Sequence, residues 1–124
     1  MSEKLPDSSG EGKLENLESR LTFVPVNENI TRLFLDGERI GVFACNDQGD
    51  HYSISFITID EKLRGKGIGT FVYQKLAASL DKPLRSDLQL SEAAENLWKK
   101  FESEGLAKRI DTAPNGRGIY EWIA

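Results

Sequence analysis

The sequence predicts one α/β domain of the α+β kind, with helices flanking a mixed, mostly antiparallel sheet. Three observations carry this expectation. An apolar run, Ile54 to Ile59, feeds a glycine-rich loop, and the loop opens an amphipathic segment, Thr70 to Leu80; that is a strand, a turn and a helix in succession. Ahead of it lie several strand-like runs separated by turn signals, the pattern of antiparallel strands. Behind it come a short apolar run, a second helical stripe and a closing hairpin. A chain of 124 residues has single-domain length, and a fold of that size buries about two thirds of its unfolded surface.

Each element has a local cause. Residues 1–20 read as a flexible tail, being polar, interrupted by Pro6, Gly10 and Gly12, and without sustained period. The domain then spans 21–124. Leu21 to Val26 is strand-like, with Pro25 arguing for an edge. Thr31 to Leu35 and Arg39 to Ala44 flank Asp36-Gly37, a hairpin turn signal. Asn46 to Asp50 is a second turn, and Tyr52 to Ile59 is the next strand. In that strand Ile54 and Phe56 share one phase of the two-residue alternation, whereas Ile57 and Ile59 share the other. Burial on both faces explains such a switch; so does a β-bulge. Ile68, Phe71, Val72, Leu76 and Leu80 recur at helical spacing and form a core face. Pro83 ends that helix, and Leu84 to Ser86 is short enough to be a parallel strand. Ser91 caps a second helix with Glu92 in its first turn. Ala94, Leu97, Trp98 and Phe101 give it an inner stripe, and Gly105 terminates it. Ala107 to Ile110 and Ile119 to Ile123 read as strands turned by Pro114 to Gly118.

Composition narrows the function classes. Apolar residues make up 39% and charged residues 29%, so a water-facing globular domain is expected. The net charge of -4 argues against a broad nucleic-acid footprint. No run approaches the ~20 apolar residues of a membrane span, and the polar Met1 to Pro6 start does not read as a signal peptide. The single cysteine, Cys45, rules out an internal disulfide and fits a reducing compartment. A cytoplasmic location follows as the expectation. No metal site is expected.

The loop Arg64-Gly65-Lys66-Gly67-Ile68-Gly69-Thr70 carries the functional signal. A helix start offers unpaired backbone N–H groups and a positive dipole end, and both favour a bound phosphate. Glycine lets a ligand approach the main chain closely. A P-loop needs G-x-x-x-x-G-K-[ST], which no window supplies. A dinucleotide fingerprint needs G-x-G-x-x-G, and here the third glycine is misplaced. A third cradle, [Q/R]-x-x-G-x-[G/A], is filled by Arg64, Gly67 and Gly69. The wider segment Ile57 to Gly69 resembles the V-x-P-E-x-R-G-K-G-I-G pattern of the GNAT superfamily of N-acetyltransferases, with Glu61 standing where proline is frequent. The element order from Leu21 to Ala124 also resembles that family's core.

The resemblance implies a central pair of parallel strands that splay apart at a bulge and admit the pantetheine arm of acetyl-CoA. It implies that the main-chain groups of Gly65, Lys66, Gly67, Ile68, Gly69 and Thr70 hold the pyrophosphate, with Arg64 in the motif and the Lys66 ammonium adding a contact. Backbone groups of Ile57 and Ile59 would pair with the pantetheine amides and polarise the thioester carbonyl. Ser91 stands where the family pattern has an asparagine, near the cofactor, and Trp98 stands where it has a tyrosine that protonates the leaving thiolate. An indole has no acidic proton to give, leaving Tyr73 and Tyr120 as substitutes to be sought in space. No acidic residue lies between Tyr52 and Ile59, so the base candidates nearby are Asp50 and His51 before that strand and Asp87 after the short strand, of which Asp87 and His51 are preferred. The family places two helices between its first two strands; Val26 to Ile30 is too short for them. The acceptor site is therefore expected to be open, or completed by a partner protein or a second copy. The expected function is acetyl transfer from acetyl-CoA to an amine of a protein or small molecule. The rival is a non-catalytic acyl-CoA-binding or protein-interaction module on the same fold.

Overall fold

A computed structural model of the chain describes residues 14–124; positions 1–13, most of the expected tail, lie outside the described residues. One turn of helix, α1 (Leu17–Arg20), leads into strands β1 (Leu21–Pro25), β2 (Ile30–Leu35), β3 (Glu38–Asp47) and β4 (Tyr52–Ile59). Helix α2 (Ile68–Ser79), β5 (Leu84–Ser86), α3 (Glu92–Ser103), β6 (Ala107–Thr112) and β7 (Gly118–Trp122) complete the described order. The strands form one seven-stranded sheet in the order β1-β2-β3-β4-β5-β7-β6. Only β4 and β5 run parallel; the other neighbours are antiparallel.

The first three strands follow from their turns. Asp36 and Gly37 both have positive φ (53° and 85°), the geometry of a two-residue turn whose twist matches the strands it joins. Between β1 and β2 the side chain of Asn27 accepts the N–H groups of Asn29 (2.8 Å) and Ile30 (2.9 Å), an Asx-type turn. That compact turn stands in place of a helical connection.

The phase switch in β4 is a bulge. Ala44 pairs with Phe56 and Cys45 with Ile54, so Ser55 is the extra residue. The bulge brings Ile54 onto the same face as Ile57 and Ile59, which the simple alternation would forbid. Ile54 is thereby 2% exposed, beneath the helices.

Both long helices cover one face. A Cβ at Gly69 in α2 would meet Ile59 Cδ1 at 3.9 Å. Tyr73 of α2 meets Trp98 and Phe101 of α3 edge-on, with centroids 5.3 and 5.0 Å apart. Trp98 stacks on Tyr120 of β7, and Phe101 meets Trp122. Such aromatic pairs contribute about 0.5–1.5 kcal/mol each beyond their buried area, and this cluster fixes α2 and α3 against the C-terminal strands. Trp98 is 1% exposed, a core residue. The packed structure begins ahead of position 21: Leu17 belongs to the core, and the Leu14 N–H donates to the Lys66 carbonyl (2.9 Å).

Candidate functional site

The parallel pair is short. Tyr52, Ser53 and Ile54 of β4 face Leu84, Arg85 and Ser86 of β5, and pairing stops there. From Ser55 to Ile59, β4 continues with no strand beside it on that side. The splay opens a cavity of about 570 Å³ between β4, the glycine loop and the two helices. Its floor is apolar, from Ile54, Tyr73, Leu97 and Trp98, and its rim carries the glycine loop.

The loop geometry explains why it is glycine-rich. Gly65 and Gly67 have φ of 77° and 86°, the left-handed region that other residues reach only with strain. Gly67 is the N-cap of α2, and its carbonyl accepts the Phe71 N–H (3.1 Å). Helix α2 therefore starts at Ile68, two residues ahead of the predicted Thr70. The N–H groups of Gly65, Lys66, Gly67, Ile68, Gly69 and Thr70 have no acceptor among the described residues. A run of free donors at the positive end of a helix is a site for a phosphate. No acidic side chain stands in the first turn of α2.

Of the residues expected to hold a cofactor, Ile57, Ile59, Arg64, Gly65, Gly67, Ile68, Gly69, Thr70 and Ser91 all line this cavity. Lys66 does not. It is half-buried, and its carbonyl is tied to Leu14. Two further side chains have structural duties beside their place in the cleft. Arg64 Nε donates to the Ile59 carbonyl (3.1 Å), closing the loop onto the strand end. Ser91 Oγ accepts the Ala94 N–H (3.1 Å) and caps α3.

The base candidates are separated. Neither Asp87 nor His51 lines the cavity. Asp87 follows Ser86, the last β5 residue paired with β4, so it stands at the mouth of the splay opposite the bulge. Its carboxylate accepts the Leu88 N–H (2.9 Å). His51 precedes β4 at the other end of the pair, with Nδ1 2.6 Å from Asp50 Oδ1.

The tyrosines differ as sharply. The Tyr120 hydroxyl donates to Glu95 Oε2 (3.2 Å) and is outside the cleft. Tyr73 is 3% exposed and lines the cleft, and its hydroxyl has no hydrogen-bond partner among the described residues. Burial, with the Cys45 sulfur nearby, pushes its pKa far above the ordinary tyrosine value. Cys45 is half-buried; burial, with Asp47 adding to it, pushes its thiol up to about 11. That is the behaviour of a structural thiol.

Glu95 escaped sequence reasoning. It is 6% exposed and accepts the Gly118 N–H (2.7 Å), the Tyr120 hydroxyl and a longer contact from Arg117 (3.4 Å). The Gly118 N–H above all holds its pKa below the ordinary glutamate value, with Tyr120 and Arg117 adding to it against burial. It pins the start of β7 to α3, the helix that walls the cleft. Gly118 has to be glycine there, because a Cβ would lie 2.8 Å from the Tyr120 ring. The signal available in the sequence was a glutamate on the inner side of a helix, which looks the same as a solvated one until β7 is placed. The contributions of Ala93 and Ala94 to the cleft wall were hidden for the same reason.

A larger hollow, about 660 Å³, lies at the other end of α2 beside Phe23, Cys45 and Leu80. Of its two carboxylates, Asp47 is already bridged by Lys82 (3.0 Å) and Glu28 is exposed at the surface. Among the described residues there is no cluster of ligands for a metal ion, and no helix is long and apolar enough to cross a membrane.

Comparison with known proteins bears on this site. The model of the acetyltransferase (GNAT) family matches residues 5–102. A search of curated proteins finds no match. Among solved structures, an acetyltransferase from Thermus thermophilus is similar at 20% identity and a TM-score of 0.56, over 78% of this chain and 64% of that one. The PaiA N-acetyltransferase from Thermoplasma acidophilum, in complex with coenzyme A, is similar at 15% identity and a TM-score of 0.57, over 77% of this chain and 60% of that one. The ribosomal-protein-S18-alanine N-acetyltransferase from Escherichia coli is similar at 18% identity and a TM-score of 0.55, over 90% of both chains. At these identities the likeness is one of fold. The chain spans less than two thirds of the length of the first two.

Proposed function

Because this chain belongs to the acetyltransferase (GNAT) family, we propose that it binds acetyl-CoA in the splayed cleft and transfers the acetyl group to an amine. The observation that carries this reading is the row of free N–H groups from Gly65 to Thr70 at one end of an apolar slot. The row suits a pyrophosphate and the slot suits a pantetheine arm. The bare edge of β4 beyond Ile54 offers main-chain groups to the arm's amides, as an added strand would use them.

In the proposed reaction a neutral amine attacks the thioester carbonyl carbon. The carbonyl oxygen takes up negative charge, which a main-chain N–H beside the bulge stabilises. The C–S bond then breaks, leaving an amide and the thiolate of CoA. The amine's proton passes to a base, and a proton returns to the thiolate. Asp87 is the proposed base, supported by its position across the splay from Ser55. His51 is the weaker candidate, since its ring is turned to Asp50. Tyr73 is the proposed hydrogen-bond donor to the departing thiolate, supported by its place in the cleft wall and a hydroxyl with no partner among the described residues; its raised pKa makes it a weak acid, so it stabilises the thiolate while solvent returns the proton.

Calorimetric titration separates this from a generic anion site. Acetyl-CoA and CoA should bind and raise the melting temperature by linkage, whereas ATP and NAD should do so far less. Equal shifts from all four would remove the argument for CoA. A second reading, a non-catalytic acyl-CoA-binding module, is favoured by one observation, the tryptophan in place of the expected tyrosine at position 98. Tight acetyl-CoA binding with no acetylation across a broad panel of amines would select it.

A further inference from the structure

The face of the β1–β4 sheet turned away from the helices is bare among the described residues. Ile59 and its row mates Gly41, Leu33 and Phe23 lie on the helix side. The opposite side carries a row of Val24, Arg32, Val42 and Thr58, and beside it a row of Ile30, Ala44 and Phe56. Thr22, Phe34 and Arg39 form the next row outward. Helices α2 and α3 are both on the far side, and the segment ahead of β1 also packs there, through Leu17 and the Leu14–Lys66 hydrogen bond.

This face is apolar where a solvent-facing sheet should be polar. Phe56 is 46% exposed and Val24 41%, with Phe34, Val42 and Ile30 half-buried beside them. Within these three rows both charged side chains are basic. Arg32 and Arg39 are exposed, and neither has an ion pair or a side-chain hydrogen bond among the described residues. Further across the sheet, Glu121 is already held by Arg85 (2.8 Å). Two copies of this face would set unpaired arginines against each other, which argues against self-association. Phe56 also follows the bulged Ser55, so the patch begins on the strand proposed to present the thioester.

We infer that this face docks the acceptor, and that the acceptor is a polypeptide segment carrying carboxylates among apolar residues close to its reactive amine. Apolar side chains cover Phe56, Val24 and Val42, and the carboxylates meet Arg32 and Arg39. The inference rests on the acetyltransferase reading and narrows the amine from any amine to one on an acidic peptide. The arginines give selection and orientation more than raw affinity.

The test uses two fluorescent synthetic peptides with free amino termini, identical in their apolar residues, one bearing glutamates and the other lysines. Binding to the full chain is followed by anisotropy, without acetyl transfer. The glutamate peptide should bind better by about tenfold at low salt, the order expected of two exposed ion pairs, and the preference should shrink as salt rises. Arg32→Glu with Arg39→Glu should reverse it in favour of the lysine peptide, a rescue that loss of folding could not produce. Phe56→Ser should weaken both peptides. No charge preference, or a preference untouched by the double reversal, overturns the proposal. So does a dimer cross-linked through Cys placed by Phe56→Cys, or tighter binding to vesicles of anionic lipid than to the peptide. CoA titration of the same samples keeps the two readings apart: normal CoA binding with no peptide preference refutes the dock alone, and absent CoA binding refutes the cofactor reading.

Discussion

Substitutions at Gly69 separate cofactor binding from stability. Gly69 is in the first turn of α2 with ordinary helical backbone, and a Cβ there would sit 3.9 Å from Ile59 Cδ1, a normal contact. Gly69→Ala should therefore fit. It should stabilise the helix by about 0.5–1 kcal/mol, raising the melting temperature by roughly 2–6 °C, and should leave CoA affinity within about threefold, since a methyl in plain contact costs little. Gly69→Val keeps a helix propensity no worse than glycine's, but its two methyls must enter the space between Ile59 and the helix start, both of which line the cleft. If a pyrophosphate is to reach the N–H groups there, one or two charge-assisted hydrogen bonds should be lost, weakening CoA by about tenfold or more. Gly67→Ala behaves differently. Its φ of 86° makes any Cβ cost about 1–2 kcal/mol, so stability and binding fall together. Thermal melts and calorimetry on the three variants supply both axes. CoA binding by Gly69→Val at the parent affinity would refute the loop as the phosphate site.

Other perturbations probe the remaining assignments. Asp87→Asn should lower turnover by about 10²-fold or more, as loss of a general base does, and flatten the acid limb of the pH–rate profile, while His51→Gln leaves both unchanged; the reverse pattern would move the base to His51. Tyr73→Phe, which keeps the ring packing, should leave CoA affinity intact, slow turnover and raise the thiol pKa of bound CoA, read by thiolate absorbance; an unchanged thiol pKa would dismiss Tyr73 as the donor. Glu95 contributes stability fully above the ordinary glutamate pKa, and that contribution is lost as pH falls through its lowered folded value. Urea melts across acid pH should show this slope in the parent and less of it in Glu95→Gln; equal slopes would contradict the Gly118 clamp. With its thiol up at about 11 rather than 9.0, Cys45 has about 100-fold less thiolate near neutral pH and should react with a thiol reagent far more slowly than a free cysteine peptide.

The readable parts of the chain are those whose cause is local. The Asp36-Gly37 turn, the Tyr52–Ile59 strand, the Ser91 cap and the Leu84–Ser86 strand all match the structure, because each is set by backbone preferences and side-chain period within a few residues. The loop was legible for the same reason: its glycines are demanded by its own φ angles at Gly65 and Gly67. Lys66 was expected among the ligands through its main-chain N–H and its charge; the N–H is free among the described residues, while its carbonyl accepts from Leu14, a partner that the loop's own residues do not record.

By itself the sequence determined the order of strands and long helices from Leu21 onward, the Asp36-Gly37 turn and the chemistry of the loop, since these depend on near neighbours along the chain. The tertiary structure decided what depends on distance between segments. It chose the bulge over two-sided burial, because only pairing with β3 reveals Ser55 as the unmatched residue. It separated Tyr73 from Tyr120, because a hydroxyl's partner comes from another element: Glu95 for one, and none among the described residues for the other. Among the described residues it also left bare the face of the sheet turned away from the helices, since which face two crossover helices occupy is fixed by how strands twist and connect, and no single segment records that.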